Sequence, residues 1–260
     1  MSEVEIFSRD EILHLQLNRV EKKNALNPKM ILALTKAFLA AAKNKSNRII
    51  LLYGAGDTFC AGADIEMMKA SAKQSRVKNI KEAQKIYDLF HAAYRTPLPI
   101  LARAQGHAFG GALGLLCVAD WVGAVEETQF AFSEVKLGIA PAVISPFCTR
   151  RIPMTFVQDW MLSGRRFSTD EAYRSGLVQF VGDPTSVDQY VQKMVKEVKL
   201  NGPEAMRATK ELLRFVVENP SSKWKAKTSQ VIAERRASQE GQEGLNGFLS
   251  KKPVSWKKES

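Results

Sequence analysis

The stretch "GHAFGGALGLLCVAD" (residues 106–120) decides how this chain folds. It reads as a helix apolar on every side, yet glycine recurs within it, and each internal glycine costs a helix roughly 1 kcal/mol against alanine. Such a cost is retained where something approaches the backbone too closely for a side chain. Just upstream, "LPILARAQG" (98–106) is a short apolar run ending in glycine, the pattern of a buried strand that stops at a turn. The same order occurs earlier, where "RIILLYGAG" (48–56) runs on into "GDTFCAGADIEMM" (56–68).

Around these two units the pattern continues. "VEIFSRDEILHLQL" (4–17) alternates apolar and polar residues and predicts a strand hairpin turning at Ser8 to Glu11. "NALNPKMILALTKAFLAAAKN" (24–44) has helical periodicity, with Asn27 as its cap and Pro28 at the first helical position. "DWVGAVEETQFAFSE" (120–134) supplies more strand, and helices are expected to resume near Phe156. Alternating strands and helices with near-continuous apolar strands predict an α/β fold, a parallel sheet covered by helices. From about Ser186 the segments become charged and helix-rich. A boundary is therefore placed near 195, dividing a core (1–195) from a helical segment (196–260) whose apolar stripes suit its own core or a neighbouring subunit.

The totals restrict the function classes. With 260 residues, 45% of them apolar, the chain can bury a large core. It has no apolar run fit to cross a bilayer, and its start, "MSEVEIFSRDE", is acidic where a signal peptide is basic. The expectation is a soluble cytoplasmic protein without a membrane partner. Cys60, Cys117 and Cys148 stand far apart, without CxxC pairs or a His cluster, and read as ordinary buried thiols; no metal is expected. The formal charge of +11 favours anionic partners without choosing between a polyphosphate and nucleic acid. Many of the lysines lie in "KASAKQSRVKNIKEAQK" (69–85) and the tail "KKPVSWKKES" (251–260), both read as solvated surface, and no RNA-recognition or zinc-finger signature occurs. Nucleic acid is disfavoured.

Both glycine turns put small residues where a strand gives way to a helix, which leaves backbone N–H groups unpaired. Two such turns side by side can aim two donors at one oxygen and stabilise charge developing on a carbonyl. The alternative is that the glycines only permit tight turns and close packing. Neither turn has the phosphate-loop or dinucleotide-fold pattern, and no GxSxG elbow accompanies Ser145.

With "NRVEKKNALN" (18–27), "FCAGADI" (59–65), "AQGHAFGGALGLLCVAD" (104–120) and "FAFSEVKLGIAPAVISPF" (130–147) in this order, the sequence resembles the crotonase, or enoyl-CoA hydratase/isomerase, superfamily. "SGRRFSTDEAYRSGLVQFV" and "EGLNGFLSKKPVSW" extend the resemblance over nearly the whole chain. It implies a spiral core of ββα units and a C-terminal helical trimerisation segment, giving a homotrimer or hexamer. It implies an acyl-CoA thioester as substrate, with coenzyme A arriving as part of that substrate and no separate cofactor. By motif position, the N–H groups of Ala63 and Gly111 would bind the thioester oxygen, and a side chain at Gly111 would intrude on the acyl group. Ala25, Leu26, Ala61, Asp64, Ile65, Gly110 and Pro141 would line the site. Lys22, Lys23 and Lys251 are suggested for the phosphates. His107 either lines the oxygen site or packs; Asp64 could cap the helix after it.

The same motifs put a catalytic glutamate at Glu134. A second glutamate, which studied hydratases of the family carry in the glycine-rich helix, is replaced here by Gly114. One carboxylate suits an isomerase, whereas "PAVISPF" together with Gly114 resembles bacterial methylglutaconyl-CoA hydratases of leucine breakdown and relatives in acyclic terpene breakdown. The preferred expectation is hydration of a short branched unsaturated acyl-CoA. An enoyl-CoA isomerase using the same glutamate, and a non-catalytic basic scaffold or RNA binder, stay open. Arg150, Arg151 and Lys136 are conceivable partners for a distal carboxylate, and solvated charge explains each equally well.

Overall fold

The computed structural model of the protein describes residues 2–257. β1 (Val4–Arg9) and β2 (Ile12–Leu17) form the expected antiparallel hairpin, with Val4 opposite Leu17. α1 (Pro28–Lys43) opens as its sequence requires: the Asn27 side chain accepts from the Met30 N–H, and Pro28 sits where no donor is needed. Its stripe of Met30, Ile31, Leu34, Ala37, Phe38 and Ala41 is buried.

The chain then winds as a spiral through β3 (Ile49–Gly54), α2 (Ile65–Ala72), α3 (Arg76–Arg95), β4 (Ile100–Ala104), β5 (His107–Phe109), α4 (Gly111–Val118), β6 (Trp121–Val125) and β7 (Gln129–Ala131). Each turn places one strand in a larger sheet and a second, short strand in a smaller one, and then leaves by a helix. β4, β5 and α4 make one such unit; β6, β7 and a 3-10 turn at Glu134–Leu137 make the next. The β3 turn does this in reduced form, with Cys60 bridging to Ala108 on β5 before α2 begins. β5 was not legible separately from the glycine turn that contains it.

Helices resume earlier than the expected Phe156, at α5 (Ser145–Arg151) and α6 (Met154–Ser163). The reason is local: Pro146 lies in the first turn of α5 and Pro153 caps α6, positions where proline does not break a helix. β8 (Arg166–Phe167), α7 (Thr169–Arg174) and β9 (Phe180–Gly182) follow. The larger sheet runs β1-β2-β3-β4-β6-β9, parallel except for β1, and the smaller runs β5-β7-β8. Phe38, Phe59, Phe90, Phe130, Phe132, Trp160 and Phe167 are fully buried in the core.

The boundary expected near 195 falls inside α8 (Pro184–Lys199), because Val187, Val191 and Val198 of that helix are buried. The chain turns away only at Leu200 to Gly202, before α9 (Pro203–Glu218), α10 (Trp224–Ala237) and α11 (Gln239–Ser250). α9 is tied to the core through Lys210, whose Nζ donates to Asp120 Oδ2 at 2.6 Å and to the Leu98 carbonyl at 2.8 Å. The tail lysines Lys251, Lys252 and Lys257 are exposed as expected, while the tail's main chain folds back, the Trp256 carbonyl accepting from Arg48 and the Trp256 ring standing beside Gly244. Its residues 258–260 lie outside the described residues. Among the described residues no helix is long and apolar enough to cross a membrane.

Candidate active site

The site grows from four short segments laid side by side. Asn24 is buried, and its Nδ2 donates to the carbonyls of Ala55 (2.9 Å) and Thr58 (2.7 Å). From the other side Gln105 Nε2 donates to the Gly54 carbonyl at 2.8 Å, so the loop leaving β3 is held on both flanks. The chain then runs beside β5: Cys60 N–H donates to the His107 carbonyl (3.0 Å), and Phe109 N–H to the Cys60 carbonyl (3.1 Å). On its other edge Ala61 N–H donates to the Lys23 carbonyl (2.9 Å), Leu26 N–H to Gly62 (2.7 Å) and Asp64 N–H to Leu26 (3.0 Å). Gly110 N–H completes the row by donating to the Ala131 carbonyl at 2.9 Å.

This ladder decides where the free donors point. In a parallel ladder alternate residues face opposite neighbours. Gly62 and Asp64 both bond Leu26, so the Ala63 N–H turns away from it, toward the second glycine turn. The Gly111 N–H opens α4, where no intrahelical acceptor exists. Neither group donates to an acceptor among the described residues. The backbones touch one residue earlier: a Cβ added to Gly62 would meet the Phe109 oxygen at 2.8 Å and Gly110 Cα at 3.9 Å.

The Glu134 carboxylate borders the same place. A Cβ at Gly110 would lie 3.0 Å from Glu134 Oε1, and Oε2 is buried without a hydrogen-bond partner. Burial pushes the Glu134 carboxyl above the usual carboxylate range, against the smaller opposing effect of its own main-chain N–H. Two unpaired amides, one of them at the N-terminus of α4, with a carboxylate of raised basicity beside them can hold a carbonyl oxygen and move a proton at the adjoining carbon.

Asp64 caps α2, its Oδ1 accepting from the Glu66 and Met67 N–H groups, while Oδ2 accepts from Arg19 at 2.5 Å. Burial opposes ionisation there, but the Arg19 hydrogen bond and charge, with the helix amides, outweigh it and hold the Asp64 carboxyl below its ordinary value. Ala25 and Leu26 are buried beside the first turn, and Ala61 lies within it. Ile65 is exposed at the start of α2; Lys22 and Lys23 are exposed on the loop that pairs with Ala61. Pro141 lies on the loop from Glu134 to α5. His107 stacks on Phe109, with ring centroids 4.9 Å apart.

A side chain at Gly111 would meet Leu26 Cδ1 at 3.4 Å and Phe90 Cζ at 3.8 Å, ordinary contacts, so no protein neighbour demands glycine there, whereas the packing of the chain itself demands it at Gly110 and Gly114. At Gly114 a Cβ would fall 2.6 Å from Ile144 Cγ2 and 2.7 Å from Phe90 Cε1. Within one chain Lys251 follows α11, and the tail beyond it bonds Arg48 ahead of β3, whereas the glycine turns leave the opposite ends of the strands. Arg150 and Lys136 are exposed, in keeping with solvated charge, Arg150 also donating to the Tyr94 hydroxyl, while the partly buried Arg151 donates to the Asp120 and Leu177 carbonyls. Sequence reasoning missed Arg19, Asn24, Gln105, Phe90 and Ile144; of these only Asn24, in the left-handed conformation that asparagine tolerates, had a local signal.

A ββα spiral with short second strands that bring successive turns together is the crotonase fold. The solved enoyl-CoA hydratase from Shewanella pealeana superposes with a TM-score of 0.93 at 33% identity, covering 98% of this chain and 96% of that one. The 2,3-dehydroadipyl-CoA hydratase of Escherichia coli is 27% identical across 99% of both chains, and the carnitinyl-CoA dehydratase of Salmonella typhi 28% across 95% of both. The enoyl-CoA hydratase/isomerase family profile matches residues 8–259, and the chain belongs to that family.

Proposed function

We propose that the protein is a hydratase of short, branched 2-enoyl-CoA thioesters, of the methylglutaconyl-CoA type. The observation that carries this reading is the half-buried Glu134, its Oε2 buried without a hydrogen-bond partner and its Oε1 lying against Gly110, one residue from a free N–H of α4. The Ala63 and Gly111 amides receive the thioester oxygen. Ionised Glu134 takes a proton from water as the water oxygen bonds to the β-carbon. The displaced π electrons pass to the thioester oxygen as an enolate, and its collapse lets protonated Glu134 return the proton to the α-carbon. Coenzyme A enters as part of the substrate, no separate cofactor takes part, and Lys22 and Lys23 are exposed beside the first turn for its phosphates.

One observation favours a second reading. The place of a second acid at Gly114 is filled by Phe90 and Ile144, so a carboxylate cannot assist from α4, which suits isomerisation by one proton shuttled between carbons. Product masses separate the two: hydration adds one water and isomerisation adds nothing. Glu134→Gln should remove turnover while retaining binding of a saturated acyl-CoA; full activity of that variant refutes both. We read the assembly as a cytoplasmic trimer or hexamer, a reading supported by exposed Leu245, Phe248 and Leu249 on α11.

A further inference from the structure

The volume beside the proposed oxygen site is not empty. The Phe90 ring reaches from Gly111, where its Cζ would be 3.8 Å from an added Cβ, to Gly114, where Cε1 would be 2.7 Å away. It lies along the first turn of α4, and Ile144 Cγ2 closes the same turn from α5. Phe90 is fully buried, and Phe147 is 4% exposed, their ring centroids 5.9 Å apart. Phe147 has a second face: with Cys117 and Val118 at the far end of α4 it lines a cavity of about 840 Å³ beneath α9. Along α4, therefore, come the free Gly111 amide, a wall of Phe90 and Ile144, the Phe147 ring, and open space.

We propose that Phe90, Ile144 and Phe147 set acyl-chain specificity, closing the path along α4 so that the site takes compact acyl groups with alkyl branches and turns away long straight chains. The inference rests on the acyl-CoA reading above. Thioester carbons held at the Ala63 and Gly111 amides and within reach of Glu134 meet an aromatic edge and an aliphatic methyl, not a polar group. A methyl branch gains contact there, whereas a straight chain running along α4 must displace packed side chains. The cavity behind Phe147 gives a widened variant somewhere to put a long chain.

The test measures calorimetric affinities of free coenzyme A, butanoyl-CoA and octanoyl-CoA, which need no turnover, for the full chain and its variants. The wild type should bind butanoyl-CoA at least tenfold tighter than octanoyl-CoA. Phe90→Ala with Phe147→Ala should bring the two within about threefold, mainly by tightening octanoyl-CoA. Circular dichroism checks folding; if the double variant does not fold, Phe90→Leu and Ile144→Val should each shift the ratio in the same direction by a smaller factor. Equal affinities in the wild type, or a ratio unchanged in folded variants, overturn the inference while leaving the acyl-CoA reading intact. Absence of binding by coenzyme A and both thioesters defeats that reading, and this one with it.

Discussion

The Glu134 carboxylate rests on the main chain of Gly110, which holds φ at +51° and would place an added Cβ 3.0 Å from Oε1. Both facts oppose any side chain at 110. Gly110→Ala must strain the backbone or push the carboxylate aside, and left-handed strain costs about 1–3 kcal/mol. We expect thermal stability to fall by about that amount and kcat to fall at least a hundredfold. Affinity for a saturated acyl-CoA should change far less, because the damage falls on the base. Steady-state kinetics beside calorimetry checks the split.

Glu134 also sets a pH dependence of stability. Its folded-state value is raised by burial, so the native state binds more protons than the unfolded chain between the two values. The contribution is therefore lost as pH rises through that window, and above it the buried charge is a standing penalty. Glu134→Gln removes the charge and keeps the shape. It should melt higher than the wild type at pH 8, and the gap should shrink toward pH 4. Melting curves at the two pH values decide it; a variant less stable at pH 8 contradicts the buried, unpartnered placement.

Arg19 and Asp64 form the opposite case. Their side chains are 13% and 7% exposed and meet at 2.5 Å, and Arg19 also donates to the Ala25 carbonyl. Asp64 has a depressed value, so its stabilisation is present above the unfolded carboxylate value and is lost as pH falls through the folded one. Arg19→Met removes the charged partner of Asp64 and leaves it only the two N–H bonds at the start of α2, at a cost of about 1.5–3 kcal/mol. Because Asp64 follows Ala63 directly, a weakened oxygen site should also appear as lower kcat with KM little changed. Chemical denaturation and kinetics on the same preparation test both consequences.

Much of this fold was legible because strands ending in glycine and an Asn27–Pro28 helix start are local signals. Ala63, Gly111 and Glu134 came from motif order, and the meeting of the two turns depends on the lateral pairing of residues 23–26, 60–64 and 107–110, which no local pattern encodes. Phe90 and Ile144 were illegible for the same reason. Each looks like an ordinary core residue, and only the approach of α3 and of the start of α5 to α4 puts both over Gly114.

Gly114 can be tested for the cause of its smallness. If its lack of a side chain reflected only drift away from a second acid, Gly114→Ala would stabilise α4 by about 1 kcal/mol through helix propensity. With Ile144 Cγ2 and Phe90 Cε1 at 2.6 and 2.7 Å from the new Cβ, overpacking should prevail, for a net loss of about 1–3 kcal/mol. Ile144→Ala alone opens a cavity and costs about 2–5 kcal/mol. Combining them lets the Cβ occupy part of the space that Ile144 vacates, so the double variant should be more stable than the sum of the single losses predicts, by at least about 1 kcal/mol. Denaturant melts of the four proteins give the coupling directly. Additivity, or a stable Gly114→Ala, would mean that the turn has room for a side chain, and a glutamate introduced at 114 could then serve as a second acid.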